Sequence, residues 1–433
     1  MPADKEPKDI LIFRTRLKPN KTQEEALWRN CAGYRWVYNY MLALQKERYE
    51  KWREAKEAWE KENPGGGKFK APDDLKPHSA YDLKKLLPVL KSDEPTAWLG
   101  ELDSQVLQDA VLNFGKTWQR FLGRSKTGSG FPKFRNRDKN NYISRSNGGK
   151  QQWVNENHIN LPKIGNVKMY ERPHIKNRPD AHLLDLTRPS GYIISRKANH
   201  WWISLRYQAP HIEPKKRKGE EVGIDLGVAR WATLSDGRHI GRDDRIEAKL
   251  KRLLERKDFY YRQLARRPKQ KSEEEGRTYS GSNREKTKKK LAKTWARIAE
   301  IKRNYSHCAS KELSQQFAKI ALEELKIQNM TRSAKGTVEE PGRNVRQKSG
   351  LNRSINQQNW YQFRSMLEYK MERNGGEVVT VNPKNTSITC SKCGHADKAN
   401  RPSQSEFKCQ KCGFEENADL NAAINICHIA FGG

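Results

Sequence analysis

The sequence contains no run of about 18 apolar residues, which excludes a membrane-spanning helix. It is poor in acid: 52 Asp and Glu face 85 Lys and Arg, a net charge of +33. Solubility needs far less, so the excess points to a polyanionic partner, most simply nucleic acid. Apolar residues are few, at 35%, yet 12 Trp, 15 Tyr and 12 Phe are present, which excludes a disordered basic tail. Met1 is followed by PADKEPKD with no apolar leader, so the expected location is the cytosol. The 433 residues suffice for about two to four domains.

Cysteine is scarce, with seven in all. Four of them form two C-x-x-C pairs, Cys390/Cys393 and Cys409/Cys412, separated by 15 residues. In a reducing compartment this spacing reads as a metal site rather than a disulfide framework. Four thiolates match a closed, structural Zn2+ centre with no open position for catalysis; an iron–sulfur cluster is the lesser alternative. Gly394 and Gly413 follow the pairs and permit the positive φ of a metal knuckle. His395 is surplus to the ligand set. Cys31 lies on an apolar helical stripe and reads as a small core residue.

Residues 10–18 alternate apolar and basic, which predicts a strand with one charged face. Thr22 and Glu25 have the spacing of a capping box, predicting a helix to about residue 60. Its buried stripe is Leu27, Cys31, Tyr34, Tyr38, Met41 and Leu44. The stretch around Pro64–Gly67 reads as a flexible loop. A second helix is expected over about 103–122, broken at Gly128–Pro132. Short strand-like segments between His158 and Tyr207 suggest a small β-barrel or sheet, with the helical part inserted after the first strand. Residues 211–220 form a basic linker. Beyond it come a strand at 222–226, another at 231–234 closed by Asp236–Gly237, two basic helices at about 244–266 and 286–318, and a strand at 320–323. Residues 331–350 read as a mobile loop, 355–373 as a helix, 378–381 as a strand, and the residues after Asp419 as a final helix.

Three acids occupy unusual places. Asp225 lies inside the apolar strand Val222–Leu226, flanked by Gly223 and Gly227. A carboxylate there is costly unless paired or bound to metal. Glu323 ends the strand Ile320–Glu323, and Asp419 opens a helix whose Ala422, Ala423 and Ile426 suit close packing on a sheet. Three hard oxygen donors suit Mg2+ or Mn2+ and phosphodiester hydrolysis. Each acid taken singly also reads as a surface or cap carboxylate.

The residues Phe13–Pro19, Cys31–Asn39, Gly130–Phe134, Gly223–Val228, Leu322–Leu325, Gly350–Ser354, Cys390–Gly394 and Asn417–Ala423 together resemble TnpB, the family of transposon-encoded RNA-guided DNA endonucleases related to type V CRISPR effectors. The likeness runs along nearly the whole chain. It implies a multidomain α+β architecture. A β-barrel wedge domain (1–20 and 125–213) carries a helical recognition insertion (21–124). An RNase H-like, RuvC-type α/β nuclease domain (214–385 and 415–433) is interrupted by a zinc ribbon (386–414). It implies Asp225, Glu323 and Asp419 as catalytic, metal-binding acids. Glu324 would point to the other side of its strand. The chain departs from the family's Thr-Ser-Gln-Thr-Cys at Ile388, which removes an amide near the site.

The implied partners are a guide RNA encoded near the transposon end, target double-stranded DNA, and the RNA–DNA heteroduplex; no membrane is involved. Base pairing would carry sequence specificity, and the protein would read a short adjacent motif. Candidate nucleic-acid contacts are Tyr34, Arg35, Tyr38, Asn39, Lys133, Arg135 and Arg137. For the tyrosines, core packing is the favoured alternative; Lys133 and Arg135, in a turn region, are better placed. Residues 331–350 read equally as a lid over the site or an ordinary loop. Competing functions are a CRISPR-associated effector, a nuclease-inactive RNA-guided repressor, a zinc-ribbon transcription regulator, and a strand-transferring transposase.

Overall fold

A computed structural model of the chain describes residues 8–73, 75–123, 130–137, 141–146, 153–175, 182, 184–267, 270–271, 278–279, 281–337 and 339–432. The readings made on the first seven residues and on Gly128 lie outside these. The chain divides into two units, 1–212 and 213–433. No helix among the described residues is long and apolar enough to cross a membrane.

The first unit opens with β1 (Lys8–Lys18), then α1 (Lys21–Glu62), α2 (Ala80–Ser92), a 3-10 helix (Glu94–Glu101) and α3 (Ser104–Phe121). Six strands follow: β2 (Tyr142–Arg145), β3 (Val154–Asn155), β4 (His158–Leu161), β5 (Gly165–Met169), β6 (Gly191–Lys197) and β7 (His200–Pro210). Together with β1 they form one sheet in the order β2-β6-β7-β1-β5-β4-β3, in which every pairing is antiparallel. Among the described residues the outer strands β2 and β3 do not pair, so the expected barrel is an open sheet. With four and two residues, these edges offer too few ladder bonds to close it.

Strand β1 alternates as its sequence demands. Phe13, Thr15 and Leu17 are buried, whereas Ile10, Ile12, Arg14, Arg16 and Lys18 lie on the other face. Helix α1 buries Leu27, Cys31, Tyr34, Tyr38 and Met41 in a core shared with α2, α3 and the sheet. Cys31 is fully buried there, and burial pushes its thiol up to about 12, as befits a core residue. The capping box sits two residues earlier than expected. Asn20, following Pro19, accepts from the Gln23 N–H at 2.9 Å, and Gln23 Oε1 accepts from the Asn20 N–H at 3.1 Å.

The second unit holds β8 (Glu221–Asp225), β9 (Ala232–Leu234), β10 (His239–Ile240), α4 (Asp244–Ala265), β11 (Gln270–Lys271), β12 (Thr278–Tyr279), α5 (Ser282–Gln316) and β13 (Lys319–Glu323). It continues through α6 (Ile327–Met330), α7 (Val345–Gln358), α8 (Trp360–Arg373), β14 (Glu377–Val381), β15 (Glu406–Lys408), β16 (Glu415–Asn417) and α9 (Ala418–Phe431). Its main sheet runs β10-β9-β8-β13-β14. Strands β8, β9 and β10 are antiparallel neighbours; β13 is parallel to both β8 and β14.

Period-two alternation sorts this sheet into two faces. Val222, Ile224, Ile320 and Leu322 pack with Leu313, Phe317, Phe363 and Leu367 of α5, α8 and the turn between them and the sheet. Ala321 and Val381 pack with Ile426 of α9. Gly223 lets α9 approach: a Cβ at this position would stand 2.2 Å from the Ala423 carbonyl oxygen.

The expected helix at 355–373 is two helices. Asn359 takes a left-handed conformation (φ 64°, ψ 28°) that ends α7 and starts α8, a geometry Asn tolerates well. The expected loop at 331–350 is helical from Val345 onward, and Gly336 bridges Pro341.

Candidate active site and metal centre

Asp225 continues the alternation Gly223–Asp225, and Glu323 continues Ala321–Glu323, so both carboxylates lie on the face covered by α9. Parallel pairing of Leu322 with Ile224 sets the two acids side by side at the strand ends. Helix α9 brings the third: Asn417 caps it by accepting from the Asp419 and Leu420 N–H groups at 3.1 and 3.3 Å, which fixes Asp419 in the first turn. All three acids are partly buried.

Their electrostatics reflect this crowding. Burial, then the nearby Glu323 and Asp419 carboxylates, push the Asp225 carboxyl up to about 7, against a lowering by Arg401. Burial likewise raises Glu323, opposed by the Thr386 hydroxyl and Arg401. Arg401 Nη2 stands 3.8 Å from Asp419 Oδ1. Thr386 Oγ1 lies 2.5 Å from Glu323 Oε1. Two carboxyls raised by burial beside a third, all hard oxygen donors, fit a divalent cation. The three are not drawn as tightly together as the cysteines. Among the described residues, the one set of three or more such side chains with ligand atoms mutually within 4.8 Å is Cys390, Cys393, Cys409 and Cys412.

In that set Sγ of Cys390 and Cys412 are 3.7 Å apart, and those of Cys393 and Cys409 3.6 Å. A tetrahedral ion with thiolate bonds of about 2.3 Å requires edges of about 3.8 Å, so the donors fit one soft cation. Gly394 and Gly413 have φ of 74° and 70° and donate to the carbonyls of Cys390 and Cys409, which closes each knuckle. The Cys412 N–H points at Cys409 Sγ at 3.5 Å. His395 stands outside the set, 4.0 Å from Asp397.

The ribbon is tied to α9 by two buried amides one turn apart. Asn421 Nδ2 donates to the Thr389 carbonyl (2.8 Å), and its Oδ1 accepts from the Ser391 N–H (3.0 Å). Asn425 Nδ2 donates to the carbonyls of Thr386 (2.9 Å) and Thr389 (2.7 Å). Sequence reading missed the parts played by Arg401, Thr386, Asn421 and Asn425, and carried Asn421 only inside the motif Asn417–Ala423. The spacing of Asn417, Asn421 and Asn425 by four residues is the signal that marks one helix face. Ile388 contributes its carbonyl to Asn400 Nδ2 at 2.9 Å.

The seven candidate nucleic-acid contacts fall into three settings. Tyr34 and Tyr38 are buried; the Tyr34 hydroxyl meets Ser144 at 3.0 Å and Asn113 at 2.6 Å, and Tyr38 packs edge-on against Phe114. Asn39 clamps the Arg135 backbone, accepting from its N–H at 2.8 Å and donating to its carbonyl at 2.9 Å. The Arg135 guanidinium sits over the Tyr38 ring at 3.5 Å, with Tyr142 and Tyr34 at 5.1 and 5.5 Å. Lys133 and Arg137 are exposed, and Arg35 and Arg137 line one hollow of about 270 Å3 with Trp28 and Asn141.

Fold and site together define a multidomain, mixed α/β protein whose four-thiolate ribbon is fastened to a helix bearing one of three clustered acids. Three family models match the chain: "Helix-turn-helix domain" over residues 10–55, "Probable transposase" over 204–334, and "Cas12f1-like, TNB domain" over 360–426. In the first of these spans the structure has β1 and one unbroken helix. The "Putative RNA-guided DNA endonuclease InsQ" of Escherichia coli (strain K12) is 33% identical over 97% of this chain and 92% of its own. A "Putative RNA-guided DNA endonuclease" of Streptomyces pristinaespiralis is 27% identical over 78% and 74%. The "CRISPR-associated endodeoxyribonuclease Cas12f1" of Sulfoacidibacillus thermotolerans is 28% identical over 53% and 50%. The chain belongs to the TnpB family.

Proposed function

We propose that this chain is a transposon-borne, RNA-guided DNA endonuclease that hydrolyses phosphodiester bonds beside a short adjacent motif. One observation carries the reading: Asp225 and Glu323, at the ends of two neighbouring strands, and Asp419, in the first turn of α9, gather on one face of the sheet, in a chain matched along 97% of its length to a relative named for that activity. The strand order supports an RNase H-like, RuvC-type nuclease domain at 214–385 and 415–433, since three antiparallel strands are followed by two added in parallel. The ribbon at 386–414 is its zinc-bearing insertion, with Zn2+ held by Cys390, Cys393, Cys409 and Cys412. The open sheet of 1–20 and 125–213 is the wedge-type domain, and 21–124 the recognition insertion.

Asp225, Glu323 and Asp419 would hold the catalytic cation, Mg2+ or Mn2+. When bound, it lowers the pKa of water and offsets charge on the leaving oxygen. Asp225 must surrender its proton to take part, because burial, and then the neighbouring carboxylates, hold that proton to about pH 7. Arg401 steadies Asp419 from the ribbon side. The net charge of +33 serves binding of guide RNA, target DNA and their heteroduplex, largely through phosphate. Arg35, Lys133 and Arg137 are the better contacts of the seven; Tyr34, Tyr38, Asn39 and Arg135 act mainly by shaping the surface behind them.

The test is expression with native flanking DNA, sequencing of the RNA that co-purifies, and challenge with a plasmid library bearing the matched target beside randomised bases. A discrete RNA and Mg2+-dependent double-strand cutting that vanishes in Asp225→Ala support the reading. A discrete RNA with binding but no cutting means a guided repressor. Absence of any specific RNA overturns the guided mechanism.

A further inference from the structure

Thr386 sits where the ribbon, β13 and α9 meet. Its residue is 3% exposed. Its Oγ1 lies 2.5 Å from Glu323 Oε1 and 3.1 Å from the Pro383 carbonyl. A threonine hydroxyl has one proton to give. An ionised Glu323 is the stronger acceptor and the nearer one, and hydrogen bonds to carboxylate are the short, strong kind. Donation there fixes Oε1 and so restricts the rotation of a side chain with several torsions.

The backbone of Thr386 is held as firmly as its side chain. Asn425 grips its carbonyl, while Asn425 and Asn421 together grip that of Thr389, the residue immediately before the first metal-binding thiol, Cys390. These amides belong to α9, the helix that carries Asp419. The segment 386–391 is therefore fastened to the element bearing one acid and reaches by a single hydroxyl to another acid on β13.

We propose that Thr386 is a positioning residue for Glu323, and that through it the four-cysteine ribbon sets how tightly the acid cluster holds its divalent cation. The proposal rests on the nuclease reading above. It gives the ribbon a part in the cluster beyond its own folding. A carboxylate that holds a metal needs its second oxygen oriented, and loss of such outer partners typically costs about 10–100-fold in metal affinity. The hydroxyl is the group that matters here, not the bulk of the side chain, because Val has nearly the same shape.

The experiment compares Thr386→Val, Thr386→Ser and Asp225→Ala with the wild type, as full chains purified with their guide RNA. Bound zinc is measured by mass spectrometry. Mn2+ binding is measured without DNA, from the loss of the free-ion electron paramagnetic resonance signal. Single-turnover cutting is followed against Mn2+ concentration. The expected result is that Thr386→Val keeps its zinc and RNA but binds Mn2+ about 10–100-fold more weakly. Its cutting should fall at limiting metal and recover in excess, and Thr386→Ser should restore both properties.

Wild-type Mn2+ affinity in Thr386→Val overturns the proposal. So does a serine variant as weak as the valine one, which would assign the effect to the methyl group. Loss of zinc in Thr386→Val also overturns it, since the residue would then serve only the ribbon's fold. Unchanged Mn2+ binding and cutting in Asp225→Ala would instead remove the nuclease reading itself, a separate failure.

Discussion

The two units each bury charge, and they do so in opposite ways. In the first, Arg145 and Asp103 form an ion pair with side chains 5% and 6% exposed. Asp103 also caps α3, accepting from the Gln105 N–H, and neighbouring Asp109 accepts from the Ser146 hydroxyl. The Arg145–Asp103 pair is balanced within the protein. In the second unit, Asp225, Glu323 and Asp419 crowd together with Arg401 as the nearby cation, 3.8 Å from Asp419. Balanced burial fastens strands to helices. Unbalanced burial of hard oxygen donors raises the energy of the cation-free cluster, which a divalent cation would relieve.

The largest effect should come from breaking the balanced pair. Arg145→Met leaves Asp103 buried and unmatched, at a cost of about 3–5 kcal/mol. Urea unfolding followed by the tryptophan fluorescence of the first unit measures it. Adding Asp103→Asn retains an N-cap and removes the stranded charge, so the double variant should regain much of the loss. If Arg145→Met alone is neutral, the pair does not fasten the unit and the contrast fails.

A smaller effect should follow from disturbing the platform under the unbalanced cluster. A Cβ on Gly223 would meet the Ala423 carbonyl oxygen at 2.2 Å and the Cys427 nitrogen at 2.6 Å, both rigid helix backbone. Gly223→Ala must push α9, and Asp419 with it, off β8. Overpacking of this kind costs about 1–3 kcal/mol. Thermal unfolding should register the loss, and cutting should fall further than stability alone explains because one acid is displaced. An unchanged melting midpoint would mean that α9 is looser against the sheet than its contacts imply.

Much of this was legible in the sequence, because it depended on local rules. The cysteine spacing, the apolar strands around Asp225 and Glu323, and the small residues of α9 follow from period and residue type. Helix α2 escaped notice although Leu83, Leu87 and Leu90 mark a buried face; Pro88 inside it reads as a breaker, and packing overrides that. The break at Asn359 depends on a left-handed conformation that Asn permits but does not announce. Arg401 was invisible for a different reason. Its approach to Asp419 exists only once the ribbon has folded back on α9. The open edge of the first sheet also depends on strand lengths, which alternation alone does not set.

The smallest effect, of opposite sign to the first two, isolates the unbalanced cluster. Asp225 holds its proton to about pH 7 in the folded chain, whereas an ordinary unfolded Asp releases it near pH 3.9. Between these values the folded state binds more protons, so stability must fall as pH rises through that window and level off above it. This holds for protein freed of Mg2+ and Mn2+ but with its cysteine-bound metal retained, since stripping that metal would melt the ribbon. Asp225→Asn removes the titration. It should flatten the decline and stabilise the cation-free protein at pH 8 by about 1–2 kcal/mol, a value reduced by the solvent screening of a partly exposed group. At pH 4 the two proteins should melt together. Adding Mn2+ at pH 8 should reverse the order, because the wild type gains binding energy that the variant cannot. Equal slopes of melting temperature against pH in the two proteins would show that the crowded acids cost the fold nothing, and the distinction between the two kinds of buried charge would collapse.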